Sequence, residues 1–337
     1  MKILLFTDLH MCPRASIINK WGTKYPTRLE NCIESVNWVE RKAEELKCDL
    51  IISLGDFFDK PDLTSETITA CNEIKWSNIM HYHLVGNHDA SNSSLDFNSV
   101  NRLSASNHII ISEPSILPYS DICLLPYVTE CDRKPLKEYF PGWRPRVILS
   151  HNDISGIQMG PVVSKTGFSI EEIEDNCALW INGHLHNGQA ITPKIINLGN
   201  LTGKDFGEDA LKYSHNVAIL DTETLALEYI ENPYAYNFYK VQIDYESDIL
   251  CLDCLKNNAV VSIKCEQSLV ERTKQKIATL ANIIESRIIL TKRQVDETAE
   301  TTELDLTVDH LARFIECCKA TIENSTLLDE ELSEICK

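Results

Sequence analysis

The sequence predicts an α/β fold. Three observations carry that expectation: short β-branched apolar runs recur along the chain, amphipathic stretches separate the first of them, and the runs close on polar residues. KILLFTD (2–8) is the first strand. Lys2 alone precedes its apolar residues and a carboxylate follows them, so it reads as a strand and not as a secretory leader. Residues 28–47 place Leu29, Ile33, Val36 and Leu46 at helical spacing among charges. CDLIISLGD (48–56) is the second strand, and residues 64–77 open with TSET, a start suited to N-capping of a helix. IMHYHLVGNHD (79–89), RPRVILSHND (145–153) and CALWINGHLH (177–186) continue the strand series. Beyond residue 186 strands and turns follow without a long helix, which predicts a mixed or antiparallel second half. The strand pattern pauses at the aromatic cluster YAYNFY (234–239). Strand 260–265, helix 269–285 and strand 286–292 then form a small α/β unit, residues 295–305 a polar linker, and 306–322 and 327–337 two short helices.

A chain of 337 residues exceeds one average domain, so a large domain with smaller appendages is expected. No run approaches the roughly 18 apolar residues that cross a bilayer. The 13 cysteines are odd in number, scattered and without a leader, which favours reduced thiols in a cytosol. Cys251 and Cys254 form a lone CxxC with no second pair or nearby histidine to complete a zinc site. The net charge of -18 disfavours simple nucleic-acid binding, yet the charge is uneven. Residues 296–337 hold 12 acidic and 3 basic side chains, whereas residues 9–29 hold Arg14, Lys20, Lys24 and Arg28 and no carboxylate. With Trp21 and Tyr25 interleaved, that basic loop is a candidate for holding phosphates, and Ser91 and Asn92 are candidates for further polar contacts.

The strand ends carry the chemistry. Asp8 and His10 follow the first strand, Asp56 and Asp59 the second, Asn87, His88 and Asp89 the third, His151 the fourth, and His184 and His186 the fifth. Five of the 10 histidines fall there. In parallel α/β sheets the carboxyl ends of strands are where ligands gather. Aspartate oxygen, imidazole nitrogen and one amide oxygen form a donor set for Mn, Fe, Zn or Mg. There are more donors than one ion needs, and two ions sharing a carboxylate would use them all. Glycine before Asp56, Asn87 and His184 suggests sharp turns that aim those side chains into a cleft.

The ordered series DxH, GDxxD, GNHD, H and GHxH resembles the calcineurin-like metallophosphoesterase family over residues 1 to about 230. The resemblance implies a four-layer α/β/β/α metallophosphoesterase sandwich (1–232), with a small α/β cap domain (233–294), a linker (295–305) and a C-terminal helix pair (306–337). It implies that Asp8, His10, Asp56 and His186 bind one metal, and that Asp56, Asn87, His151 and His184 bind the other. It implies a catalytic His88 facing substrate, with Asp59 orienting it and Asp89 bracing the loop. The forms GDFFDKPD and HNDISG, and the layout of catalytic domain, cap and helix pair, look closer to SbcD-type DNA repair and recombination nucleases, and to their tailed-phage relatives, than to the protein phosphatases. A departure is Gly199-Asn200-Leu201, where those relatives tend to have a glycine-Ser/Thr-proline turn. The resemblance further implies two divalent ions, manganese with magnesium as the alternative; exonuclease action on duplex ends and endonuclease action on single strands; a homodimer through helices 28–47 and 64–77; and docking of 306–337 on an SbcC-type coiled-coil ATPase. The chain has no GxxxxGK[ST] loop, so ATP would be the partner's ligand. A small-substrate phosphatase or phosphodiesterase, and a non-catalytic scaffold for the ATPase, are the competing readings.

Overall fold

The computed structural model describes residues 1–91, 94–159 and 162–291. Two six-stranded mixed sheets face one another. In the first, Lys2–Phe6, Leu50–Ser53, Met80–Leu84 and His108–Ile111 run parallel, Asn216–Asp221 pairs antiparallel with Lys2–Phe6, and Leu227–Glu231 pairs antiparallel with Asn216–Asp221 at the edge. In the second, Ile122–Leu125, Val147–Ser150, Leu179–Asn182 and Ile195–Asn197 run parallel between two antiparallel edge strands, Ser115–Ile116 and Gln189–Thr192.

Strand alternation creates the layers, because successive side chains point to opposite faces. Ile3 and Leu5 join Ile52, Leu84, Leu124, Leu149 and Ile181 in the core between the sheets. Leu4 and Phe6 point the other way, onto helix α1 (Thr27–Glu45), whose Leu29, Cys32, Ile33, Val36, Val39 and Ala43 make its buried stripe. Helix α2 (Ser65–Cys71) adds Ala70 and Cys71 to that layer. On the far side, Trp180 and Ile148 pack with Phe168 and with Ile173 of helix α3 (Ile170–Asn176). The α/β/β/α sandwich is thus present.

Several element expectations need correction. Helix α2 stops at Cys71 and does not reach residue 77. Its N-cap is as read, the Thr64 side chain accepting from the Thr67 amide. The segment after it turns away so that the Lys75 and Ser77 amides meet side chains of α1, Asn37 and Glu40. The pause at YAYNFY covers only its first half: residues 232–236 lie between strands, and Asn237–Ile243 is a strand. The expected helix 269–285 is a shorter helix α4 (Val270–Ala278), and the strand after it is Ile283–Leu290. Strands His108–Ile111 and Ile122–Leu125 were not foreseen. They carry no polar motif at their ends that would have drawn attention to them.

Strands Asn237–Ile243, Ala259–Cys265 and Ile283–Leu290 form a separate parallel sheet. One face packs on α4 through Val261 and Ile263, and the other sets Phe238 and Val260 against Ile18 and Phe206. The linker 295–305 and helix pair 306–337 lie outside the described residues. Among the described residues no helix is long and apolar enough to cross a membrane.

Arg28 is not a DNA contact. Its side chain is fully buried, and the guanidinium donates to the carbonyls of Leu9 (2.9 Å) and Gly203 (2.9 Å) and to Asn31 Oδ1 (3.2 Å). It ties the first motif's loop to residues near position 203. Arg28→Met leaves two buried carbonyls without donors, and unmet buried groups cost about 1–3 kcal/mol each. We expect urea unfolding to show a loss of about 2–5 kcal/mol; an unchanged midpoint would return Arg28 to the surface.

Candidate metal centre

Every candidate ligand sits just past the carboxyl end of a parallel strand. Asp8 and His10 follow Lys2–Phe6, Asp56 follows Leu50–Ser53, and Asn87 follows Met80–Leu84. From the second sheet come His151, after Val147–Ser150, and His184 and His186, after Leu179–Asn182. Backbone hydrogen bonds zip the first two loops together: Asp8 N–H to Gly55 O (3.0 Å), His10 N–H to Asp56 O (3.0 Å) and Met11 N–H to Phe57 O (2.9 Å). This path forces Asp8, His10, Asp56 and His184 into left-handed backbone at φ of 51°, 46°, 51° and 76°. Non-glycine residues hold such conformations at a cost, and they cluster at functional sites. The glycines act in two ways. Gly55, at φ 112°, supplies a turn; at Gly86 and Gly183 the issue is space, because a Cβ would fall 2.4 Å from the Asp56 amide nitrogen and 2.2 Å from Thr7 Oγ1.

The side chains converge. His186 Nε2 lies 2.9 Å from His10 Nε2, and His10 Nε2 lies 3.7 Å from Asp8 Oδ1 and 3.6 Å from Asp56 Oδ2. Asp56 Oδ2 is also 3.3 Å from His151 Nε2, which is 3.1 Å from Asn87 Oδ1; the latter is 2.9 Å from His184 Nδ1. Asp56 Oδ2 therefore stands between the two groups of donors, where the resemblance places a bridge.

Each imidazole is held from behind. His186 Nδ1–H donates to Glu208 (3.1 Å), His184 Nε2–H to Asp153 (2.9 Å) and His151 Nδ1–H to the Leu54 carbonyl (2.8 Å); His10 Nδ1 faces Asp59 (3.4 Å). Fixing the outer proton in this way leaves the inner nitrogen of each neutral ring with a lone pair. Those lone pairs face Asp8 Oδ1, Asp56 Oδ2 and Asn87 Oδ1, and the buried Asp8 Oδ1 has no hydrogen-bond donor among the described residues. A set of inward-facing acceptors with their donors turned outward fits divalent cations. Three groupings, Asp8 with His10 and His186, Asp8 with Asp56 and His151, and His10 with Asp56 and His88, have donor atoms within 4.8 Å of one another.

The other expected residues divide. His88 lies edge-on to the His10 ring (4.7 Å) and is part-exposed, but its Nδ1–H donates to the backbone carbonyl of Asp59 (3.1 Å) and not to the carboxylate. The Asp59 carboxylate is instead paired with Lys204 and His10, so its expected role of orienting His88 passes to its carbonyl. Asp89 does brace the loops, accepting from the amides of Phe58 (2.8 Å), Gly86 (3.0 Å) and Phe57 (3.3 Å). Lys204, Glu208 and Asp153 were missed. Asp153 could have been read from HND, two residues past His151; Lys204 and Glu208 lie in GKDFGED, which carries no periodic or motif signal.

Of the basic loop, Lys20 pairs with Glu285 (2.8 Å) and Lys24 with Glu73 (2.6 Å), both on the surface, where such pairs are weak. Arg14 is exposed, Trp21 is exposed and Tyr25 is buried, which corrects the expectation that Tyr25 meets a substrate. Ser91 lines a cleft of about 900 Å³ that starts at Asn87 and runs past Tyr127, Arg133 and Lys134. Asn92 lies outside the described residues.

Charge follows from this packing. Burial disfavours the charged forms of His10 and His151, yet surrounding carboxylates, Asp59 and Asp8 for the first and Asp56 for the second, raise both to about 9. Burial likewise opposes ionisation of Asp56, but the His151 and His10 imidazoles hold it at about 2. Without ions, protons fill the centre. A raised imidazole stabilises the fold fully below its ordinary value of 6.5, and that contribution is lost as pH climbs through about 9. Ligation requires neutral imidazole, so metal and proton compete. Ion-free protein should therefore lose thermal stability from about pH 7 to 10, while the stabilisation added by Mn grows over the same window. Calorimetry near pH 7 in buffers of different ionisation enthalpy should register proton release on Mn binding. Proton-neutral binding there contradicts the assignment of charge.

A family model described as calcineurin-like phosphoesterase matches residues 1–188. Among solved structures, the chain is similar to a dimetal phosphatase from Danio rerio (11% identity, TM-score 0.41, covering 69% of this chain and 96% of that one). It is also similar to a metallophosphoesterase from Sphaerobacter thermophilus (13%, 0.31, 82% and 100%) and to a phosphoesterase from E. coli (11%, 0.30, 69% and 100%). No curated protein matches it. Because the matched stretch spans more than half of the sequence and contains all seven converging donors, from Asp8 to His186, the chain belongs to the calcineurin-like phosphoesterase family.

Proposed function

We propose that this protein is a two-metal DNA nuclease, an SbcD-type subunit that hydrolyses phosphodiesters at duplex ends and in single strands, with manganese as its metal. The single observation that supports the hydrolytic reading is Asp56 Oδ2 standing between the donors of two cation sites, 3.6 Å from His10 Nε2 and 3.3 Å from His151 Nε2. The choice of DNA rests on the sequence forms GDFFDKPD and HNDISG and on the absence of the arginine that protein phosphatases place against phosphate. The cleft beyond Asn87 offers room for more than one phosphate group.

A pair of divalent ions held here would neutralise phosphoryl oxygens and acidify an attacking water. The chain's own residues do the rest. Asp8, Asp56 and Asn87 fix the geometry, and the outer partners fix the ring orientations. His88 keeps Nδ1–H on the Asp59 carbonyl, so its other nitrogen is free to hold or deliver a proton. Burial pulls the His88 imidazole below its ordinary value, opposed by the charge of Asp56. Delivering a proton from it to a leaving sugar oxygen therefore relies on a nearby phosphate to restore the charged form. Residues 306–337 are proposed to dock on a coiled-coil ATPase, and α1 and α2 to pair two copies. A small-substrate phosphatase would use the same donors.

Purified protein with Mn, assayed on linear duplex, single-stranded DNA and p-nitrophenyl esters, separates these readings. We expect DNA cleavage, and a fall in kcat of roughly 10²–10⁴ in His88→Ala with both ions retained. Turnover of the monoester alone would transfer the protein to the phosphatases, and an undiminished His88→Ala would remove that residue from the chemistry.

A further inference from the structure

The two cation sites are braced from different parts of the chain. Behind the donors His10 and His186 lies one segment, residues 200–208. Glu208, buried at 5% exposure, accepts from His186 Nδ1–H (3.1 Å), from Asn200 Nδ2 (2.7 Å) and from the Lys204 amide (3.0 Å). The Lys204 ammonium pairs with the Asp59 carboxylate and lies 3.4 Å from His10 Nδ1, which faces that same carboxylate at 3.4 Å. Behind His184 and His151 stand Asp153 and the Leu54 carbonyl, neither belonging to that segment. The 200–208 segment is in turn held by the three-stranded sheet and the residue that leads into it: Gly203 N–H donates to Tyr236 O (3.0 Å), Phe206 stacks edge-on with Phe238 (5.1 Å), and the Arg287 guanidinium lies over the Phe206 ring (4.5 Å).

We propose that Lys204 and Glu208 are positioning residues for one ion only, the one shared by Asp8, His10 and His186, and that through them the three-stranded sheet sets the affinity of that ion. Lys204 acts by fixing the Asp59 carboxylate that orients His10, and Glu208 acts directly on His186. Outer partners of metal-binding histidines typically change affinity by about 10–100-fold. Asp153 plays the corresponding part for the other ion. This inference rests on the two-ion reading above.

The test measures Mn stoichiometry by calorimetry and the spin-coupled signal of a paired Mn centre by electron paramagnetic resonance, on the full chain. Wild type should bind two ions. Lys204→Met and Glu208→Gln should each weaken one ion by about 10–100-fold and leave the other unchanged, converting the coupled signal to that of isolated Mn at limiting metal. Lys204→Arg should restore it. Asp153→Asn should also weaken one ion, and Lys204→Met combined with Asp153→Asn should weaken both, because the two changes act on different sites. A double variant that keeps one ion at wild-type affinity, or a Lys204→Met protein that binds two ions as tightly as wild type, would overturn the proposal. So would Lys204→Met weakening both ions equally. Wild type binding fewer than two ions would instead overturn the two-ion reading beneath it. Should Glu208→Gln fail to fold, the part-exposed Lys204 variants still decide.

Discussion

Burying the carboxylates of Asp8 and Asp56 side by side at the ends of neighbouring parallel strands is the constraint from which the centre is built. Both are almost wholly inaccessible, and an isolated buried carboxylate is expensive unless opposite charge and hydrogen bonds compensate it. Compensation here is specific. Asp8 Oδ2 accepts from Thr7 Oγ1 (2.5 Å) and the His184 amide (2.9 Å), and Asp56 Oδ1 accepts from the His88 amide (2.8 Å). One oxygen of each is thereby satisfied by the protein, and the other is left to face imidazoles. Two negative charges held in this way demand cations or protons, and everything around them, from zipped loops to left-handed backbone, maintains that demand.

Division of labour between the two sheets follows. The first sheet supplies the carboxylates, one imidazole and the amide; the second supplies the remaining imidazoles. Neither sheet alone holds a complete donor set. The apolar core between them, where Ile3 and Leu5 meet Leu149 and Ile181, thus sets the distance between the two halves of the donor set. A core substitution that shifts one sheet against the other would act on ligand geometry without touching a ligand.

The basic loop shows how tertiary context reassigns charge. In sequence, Arg14, Lys20, Lys24 and Arg28 form one cationic stretch lacking acids. In the fold, Arg28 becomes an interior clasp for carbonyls from positions 9 and 203, and Lys20 and Lys24 meet acids from distant segments. Carboxylates far along the chain decide the local field, and their approach leaves no trace in the loop itself. The same holds for Glu208, the acid behind His186.

By itself the sequence determined the alternation of strands and helices and the chemistry of the strand ends, because side-chain period and donor type are local properties. Asp8, His10, Asp56, Asn87, His151, His184 and His186 were legible for that reason, each standing just after an apolar run. Tertiary structure decided which donors meet. That His184 faces Asn87 and His10 faces His186, that Asp59 turns to Lys204 and lends His88 only a carbonyl, and that Glu208 sits behind His186, depend on contacts that span from 22 to 176 residues. Such contacts are fixed by how two sheets pack and where a returning segment is pinned, which is a property of the assembled core and not of any short stretch of residues.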